Sequence, residues 1–168
     1  SLADIADAIV WSAGGSVPGV PANPTPADVI NMSLGGSGTC GTTYQNAINA
    51  AVSRGVPVVV AAGNENQPAA NVRPANCRNT IVVAASTPQG ARASFSNYGS
   101  AVDVTAPGAN IISTVNNGAT TPTTAGHAAY NGTSMATPHV AGLAALLLAE
   151  RPSPVSYTHL TLPTKRIV

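Results

Sequence analysis

The clearest chemical signal in the chain is the run Asn131-Gly132-Thr133-Ser134-Met135-Ala136-Thr137-Pro138-His139-Val140-Ala141-Gly142. A glycine turn delivers a serine to the first residues of an apolar stretch that reads as a helix as far as about Glu150. A helix N-terminus carries four unpaired N–H groups and a partial positive charge. A hydroxyl placed there stands beside donors that can hold a developing oxyanion, so Ser134 is a candidate nucleophile. For an isolated Thr-Ser pair, the simpler reading is a helix N-cap. Pro138 is expected in the first turn, where its missing N–H has no partner to lose. Beyond it Val140, Ala141, Leu143, Ala144, Leu146, Leu147 and Leu148 leave almost no polar face, which predicts a buried helix and a rigid mount for the serine.

A serine nucleophile needs a base, and the base needs an orienting carboxylate. His139 does not qualify: five residues along a helix is about 500°, some 140° round from Ser134. Its better reading is a hydrogen-bonded buried imidazole. His159 lies in an atypical tail. Asp103, His127 and Ser134 occur in a tempting order, but Asp103 sits in the strand-like run Val-Asp-Val-Thr-Ala-Pro-Gly, and His127 in Gly-His-Ala-Ala has no helix start beside it.

The elements that must position Ser134 can be traced in order. Residues 1–13 read as a helix with Leu2, Ile5, Ala6, Ile9 and Val10 at helical spacing, followed by a Pro/Gly loop. Residues 28–34 read as a short buried strand, residues 42–54 as a helix striped by Tyr44, Ala47, Ile48, Ala51 and Val52, and residues 56–62 as a second strand. Strand, helix and strand make the unit of a parallel crossover. A loop is expected over residues 63–79, strands over 80–85 and 101–105, a short edge strand over 111–114, and a loop over 116–130. The fold class is therefore α/β with a parallel sheet.

Composition narrows the function. The chain of 168 residues suits one domain. Charged residues are 8% against a usual quarter or so, yet hydrophobic residues are 44%, which excludes disorder. A net charge of +1 offers no attraction to nucleic acid or anionic lipid. No apolar run approaches the length needed to span a membrane. Cys40 and Cys77 fall in loops without metal-ligand spacing. So few ionic groups favour a disulfide in a secreted protein, the alternative being two free buried thiols.

Two glycine-containing segments compete for meaning. Gly36-Ser37-Gly38-Thr39-Cys40-Gly41 matches G-x-G-x-x-G between a strand and a helix, with Glu65 about 24 residues on, as in a dinucleotide-binding fingerprint. No small-apolar lead-in and no second mononucleotide half support an oxidoreductase. Ala61-Ala62-Gly63-Asn64 follows the second strand at its C-terminal end, where open α/β sheets bind ligands, although Asn after Gly is also a common turn residue.

Together, Ser33-Leu34-Gly35-Gly36, Ala61-Ala62-Gly63-Asn64 and the run around Ser134 resemble the subtilisin-like serine peptidases. The resemblance implies a three-layer parallel-sheet fold. It makes Ser134 the nucleophile and Asn64 the oxyanion-hole amide. Ser33, Leu34, Gly35, Gly36, Ala61, Ala62, Gly63 and Thr133 would line the substrate site, with an extended polypeptide adding as a strand. It implies no cofactor for the chemistry and no metal there, and allows structural calcium that the scattered acids do not locate. The family's Asp and His segments are not found here. The expectation is a bacterial secreted endopeptidase fragment over residues 1–154, lacking an N-terminal part that would complete its catalytic domain. A catalytically dead peptide-binding module is the other alternative. Residues 155–168, with the chain's single lysine, read as non-native sequence or as a genuine extension.

Overall fold

The computed structural model describes residues 1–150, so the tail at 155–168 lies outside the described residues. Helix α1 (Leu2–Ser12) opens with a capping box in which the Ser1 side chain and Asp4 bond each other's backbone N–H. Strand β1 (Ile30–Met32) is shorter than expected, because its ladder runs only from Ile30 opposite Val58 to Met32 opposite Val60. Ser33 and Leu34 are thereby left outside the sheet. Strand β2 (Gly36–Ser37) precedes helix α2 (Gly41–Val52), which buries Tyr44, Ala47, Ile48 and Ala51 as its stripe requires.

Strands β3 (Val58–Ala61), β5 (Thr80–Ser86) and β6 (Val104–Pro107) complete a four-stranded parallel sheet in the order β1-β3-β5-β6. Alternation along the strands builds two cores. Met32, Val58, Val60, Val82 and Ala84 pack with α1 and α2 residues such as Ile9 and Ile48. Val59, Val83, Ala85 and Ala106 pack with Ala136 and Val140 of helix α3 (Thr133–Glu150). Both sheet faces are covered, which explains the unbroken apolar runs and gives three layers.

Four expectations are corrected. The strand predicted at 101–105 lies at Val104–Pro107, and Pro107 is tolerated because β6 ends the strand order and has a ladder on one side only. The loop at 63–79 contains a single helical turn (Ala69–Asn71) and strand β4 (Val72–Arg73), which pairs antiparallel with β2. The loop at 116–130 contains strand β8 (Ala125–Tyr130), paired antiparallel with β7 (Ile111–Asn116). Helix α3 is not buried all round: Leu143, Leu146 and Leu147 are 47%, 68% and 42% exposed, because no described element covers the sides turned away from the sheet.

Candidate active site

Ser134 is the second residue of α3, so its N–H is among the four that the helix leaves without an internal partner. The turn before it is fixed from three directions. The Gly132 N–H donates to Gly108 O at 2.8 Å, and Asn131 Oδ1 accepts from the Asn110 N–H. The Thr133 N–H and hydroxyl both donate to Asn64 Oδ1, at 2.8 and 3.0 Å. A backbone N–H can only donate, so the Asn64 atom facing it must be the oxygen. Its Nδ2 is thereby turned outward as a donor, with Gly132 beside it.

Gly63 closes this arrangement. Its N–H donates to the Thr133 hydroxyl at 3.1 Å, and its φ is +102°. A Cβ there would lie 2.2 Å from Asn97 Nδ2, so no other residue fits. Asn97 is fully buried and ties the loop together, donating to Ala62 O and to the Glu65 carboxylate and accepting from the Glu65 and Gln67 N–H groups.

These groups open onto one cleft of about 270 Å³, lined by Leu34, Gly35, Ala61, Gly63, Asn64, Glu65, Val72, Thr133 and Ser134. It lies at the C-terminal ends of β1 and β3, where such sheets bind ligands. Ser33 reaches it through paired bonds with the nucleophile: Ser33 Oγ donates to Ser134 O at 2.8 Å, and Ser134 Oγ donates to Ser33 O at 3.2 Å. Of the other expected substrate-site residues, Ala62 lies behind the cleft, fully buried. Gly36 is paired with Arg73 in the β2–β4 ladder and does not line the cleft, whereas Leu34 and Gly35 do. Glu65 and Val72 were not anticipated as lining residues. Glu65 follows the Asn directly and could have been read from that adjacency, whereas Val72 arrives through strand β4, which has no clear sequence signature.

The glycine-rich fingerprint is filled by the chain itself. Gly36 and Ser37 are paired, the Gly38 N–H donates to Asn71 O, its carbonyl accepts from Asn76 Nδ2, and Cys40 is bonded to Cys77. The backbone at Gly36–Gly38, which a pyrophosphate would have to approach, is already engaged. The disulfide itself is as expected.

The rejected base candidates are elsewhere. Asp103 accepts from the Val82 N–H at 2.8 Å and lines a different cleft; His127 sits on β8 opposite Thr114. His139 Nδ1 bonds Met135 O at 2.8 Å, as a helical imidazole can, but it is exposed rather than buried because α3 turns that side to solvent. Pro138 lies inside the helix, sixth from its start, not in the first turn. Asp103 is exposed at the cleft mouth, yet partial desolvation holds its carboxyl above the usual carboxylate range, partly offset by the Val82 N–H. Among the described residues no three His, Cys, Asp or Glu side chains gather as a metal cage.

A three-layer α/β sheet with a serine on the N-terminus of the helix crossing it, facing an outward asparagine amide, defines the subtilisin-like fold. The model of the subtilase family matches residues 1–165, and the chain belongs to that family. It is 62% identical over 153 residues to an extracellular protease of Xanthomonas campestris pv. campestris, covering 91% of this chain and 26% of that protein. It is 49% identical over 146 residues to an extracellular basic protease of Dichelobacter nodosus, covering 87% and 24%. A solved protease structure from Pseudoalteromonas arctica superposes with a TM-score of 0.92 at 50% identity, over 96% of this chain and 50% of that one. The chain thus spans about a quarter of the length of these curated relatives and half of the solved structure.

Proposed function

We propose that this chain is the nucleophile-bearing part of a secreted bacterial serine endopeptidase that cleaves polypeptides through an acyl-enzyme. The observation that carries the reading is the convergence of the Ser134 hydroxyl and N–H with the outward Asn64 Nδ2 on one cleft. Ser134 Oγ attacks the scissile carbonyl carbon and gives its proton to a histidine from a part of the polypeptide outside this sequence. The Ser134 N–H and Asn64 Nδ2 hold the oxyanion. Collapse of the tetrahedral intermediate expels the amine, which takes that proton, and water then hydrolyses the serine ester. The backbone of Ser33–Gly35 pairs with the extended substrate, so that affinity is largely independent of side chains.

Secretion is supported by the names of the two bacterial relatives and by the Cys40–Cys77 disulfide. Structural calcium is best accommodated by the cleft around Asp103. That carboxylate is a hard oxygen donor of the kind calcium prefers, and among the described residues no further acidic side chain gathers beside it.

A fluorophosphonate probe tests the reading. The intact protein should be labelled on Ser134 and cleave a chromogenic peptide, and Ser134→Ala should do neither. Labelling that survives Ser134→Ala would overturn the assignment. Peptide affinity without labelling in the intact wild type would favour the dead module. The 168-residue chain alone should turn over poorly, since neither Asp103 nor His127 lines the Ser134 cleft.

A further inference from the structure

Pro138 creates a specific vacancy in the hydrogen bonding of α3. In an α-helix the N–H of residue 138 would donate to the carbonyl of residue 134, four positions back. Proline has no such N–H, so the carbonyl of the nucleophile's own residue loses its helical partner. The neighbouring carbonyl shows the contrast. Thr133 O accepts from the Thr137 hydroxyl, inside the same helix, at 2.7 Å. Ser134 O has to look outside, and the donor it finds is Ser33 Oγ at 2.8 Å, 101 residues away in sequence.

Ser33 is held for this task. Its hydroxyl accepts from Asn31 Nδ2 at 3.0 Å, which leaves its own hydrogen free for Ser134 O. In return the Ser134 hydroxyl donates to Ser33 O. An unpartnered, half-buried carbonyl on Ser134 would be an electron-rich group next to where a second negative oxygen develops. It would also leave the first helical turn, and with it the Ser134 N–H, free to tilt.

We propose that the Ser33 hydroxyl is a positioning residue for the nucleophile: it stands in for the N–H that Pro138 lacks and, by anchoring the Ser134 carbonyl, holds the first turn of α3 and with it the Ser134 N–H in the orientation oxyanion binding requires. This rests on the peptidase reading, and adds a side-chain duty to the strand-pairing duty of the Ser33 backbone.

The test is a double-mutant cycle in the intact protein, with fluorophosphonate labelling of the wild type as the control for the peptidase reading. Ser33→Ala should lower kcat about tenfold, the scale of a lost bond to a partly buried carbonyl, with KM changed less than twofold. Ser33→Thr, which keeps a hydroxyl, should recover most of the loss. In a Pro138→Ala background, where residue 138 regains an N–H, Ser33→Ala should cost less than twofold whatever Pro138→Ala does by itself. An equal loss in both backgrounds, or a full kcat in Ser33→Ala, overturns the proposal. If Ser33→Ala does not fold, Pro138→Ala must restore folding; failure to do so overturns it as well. The carbonyl carbon-13 shift of Ser134 reads the contact independently of turnover. It should move upfield in Ser33→Ala and return in the double variant, and an unmoved shift counts against the proposal even if the wild type is never labelled.

Discussion

The same parallel sheet carries two clefts of nearly equal size at opposite ends, about 270 Å³ around Ser134 and about 250 Å³ around Asp103. At the carboxyl end the chain gathers donors around Ser134, namely the first N–H groups of α3, the Asn64 amide and a serine hydroxyl, with the Glu65 carboxylate also on the lining. At the amino end it presents an acceptor, the Asp103 carboxylate, which also takes the Val82 N–H. The donors beside Ser134 suit a growing negative charge, and the carboxylate at the other end suits a cation or a proton. Size does not distinguish them; the direction of the hydrogen-bonding groups does. That direction follows from how a parallel sheet ends, with helix N-termini gathered above the carboxyl ends of the strands.

The largest effect expected, after loss of the nucleophile itself, comes from removing the carboxyl-end donor. Asn64→Ala should lower kcat about 10²–10³-fold with little change in KM, a magnitude borrowed from the corresponding donor in subtilisin. Steady-state kinetics on the intact protein would check it. The variant must be read with a fold control, because Asn64 also holds the Thr133 N–H and hydroxyl. A loss confined to KM would mean that the amide binds substrate rather than the transition state.

The next effect acts on the other end. Cys77 lines the Asp103 cleft, and its disulfide to Cys40 closes a separation of 37 residues. Replacing both cysteines with serine should cost about 3–4 kcal/mol by the chain-entropy argument. Chemical denaturation would measure it as a lower midpoint with a similar slope. Probe labelling at Ser134, measured well below the new midpoint, should change little, since the disulfide touches the amino-end cleft and not the carboxyl-end one.

The two ends also differ in how much could be read from residue order. The carboxyl-end cleft is built from three short local motifs whose meaning survives in sequence: Ser33-Leu34-Gly35, Ala61-Ala62-Gly63-Asn64 and the turn into Ser134. The amino-end cleft has no motif, because Asp103, Asn76 and Thr80 come from separate loops and strand starts that only the fold brings together. Strands β4 and β8 were missed for a related reason. Val72–Arg73 is too short for a periodic signal, and Ala125–Tyr130 is mostly alanine, glycine and histidine, so partner strands rather than propensity make them extended. The exposure of Leu143, Leu146 and Leu147 was misread because hydrophobicity reports what a face prefers and not what covers it.

The smallest effect tests whether the acceptor end is a proton or a cation site. Partial desolvation raises the Asp103 pKa, so the folded chain holds that proton more tightly than the unfolded one. The stability Asp103 contributes is then complete below its unfolded value and is lost as pH rises through the higher folded value. Asn at this position keeps an acceptor for the Val82 N–H and removes the charge. In a chelator, Asp103→Asn should therefore raise Tm at neutral pH only slightly, because the side chain is exposed and water screens its charge, and the gain should vanish at a pH where Asp103 is protonated. Adding calcium reverses the comparison: the wild type should gain Tm and the variant should not, because the ion's carboxylate is gone. Scanning calorimetry of both proteins, with and without the ion, separates the outcomes. Equal gains in both would place calcium elsewhere and leave Asp103 as a partly desolvated carboxyl that costs a little stability at neutral pH.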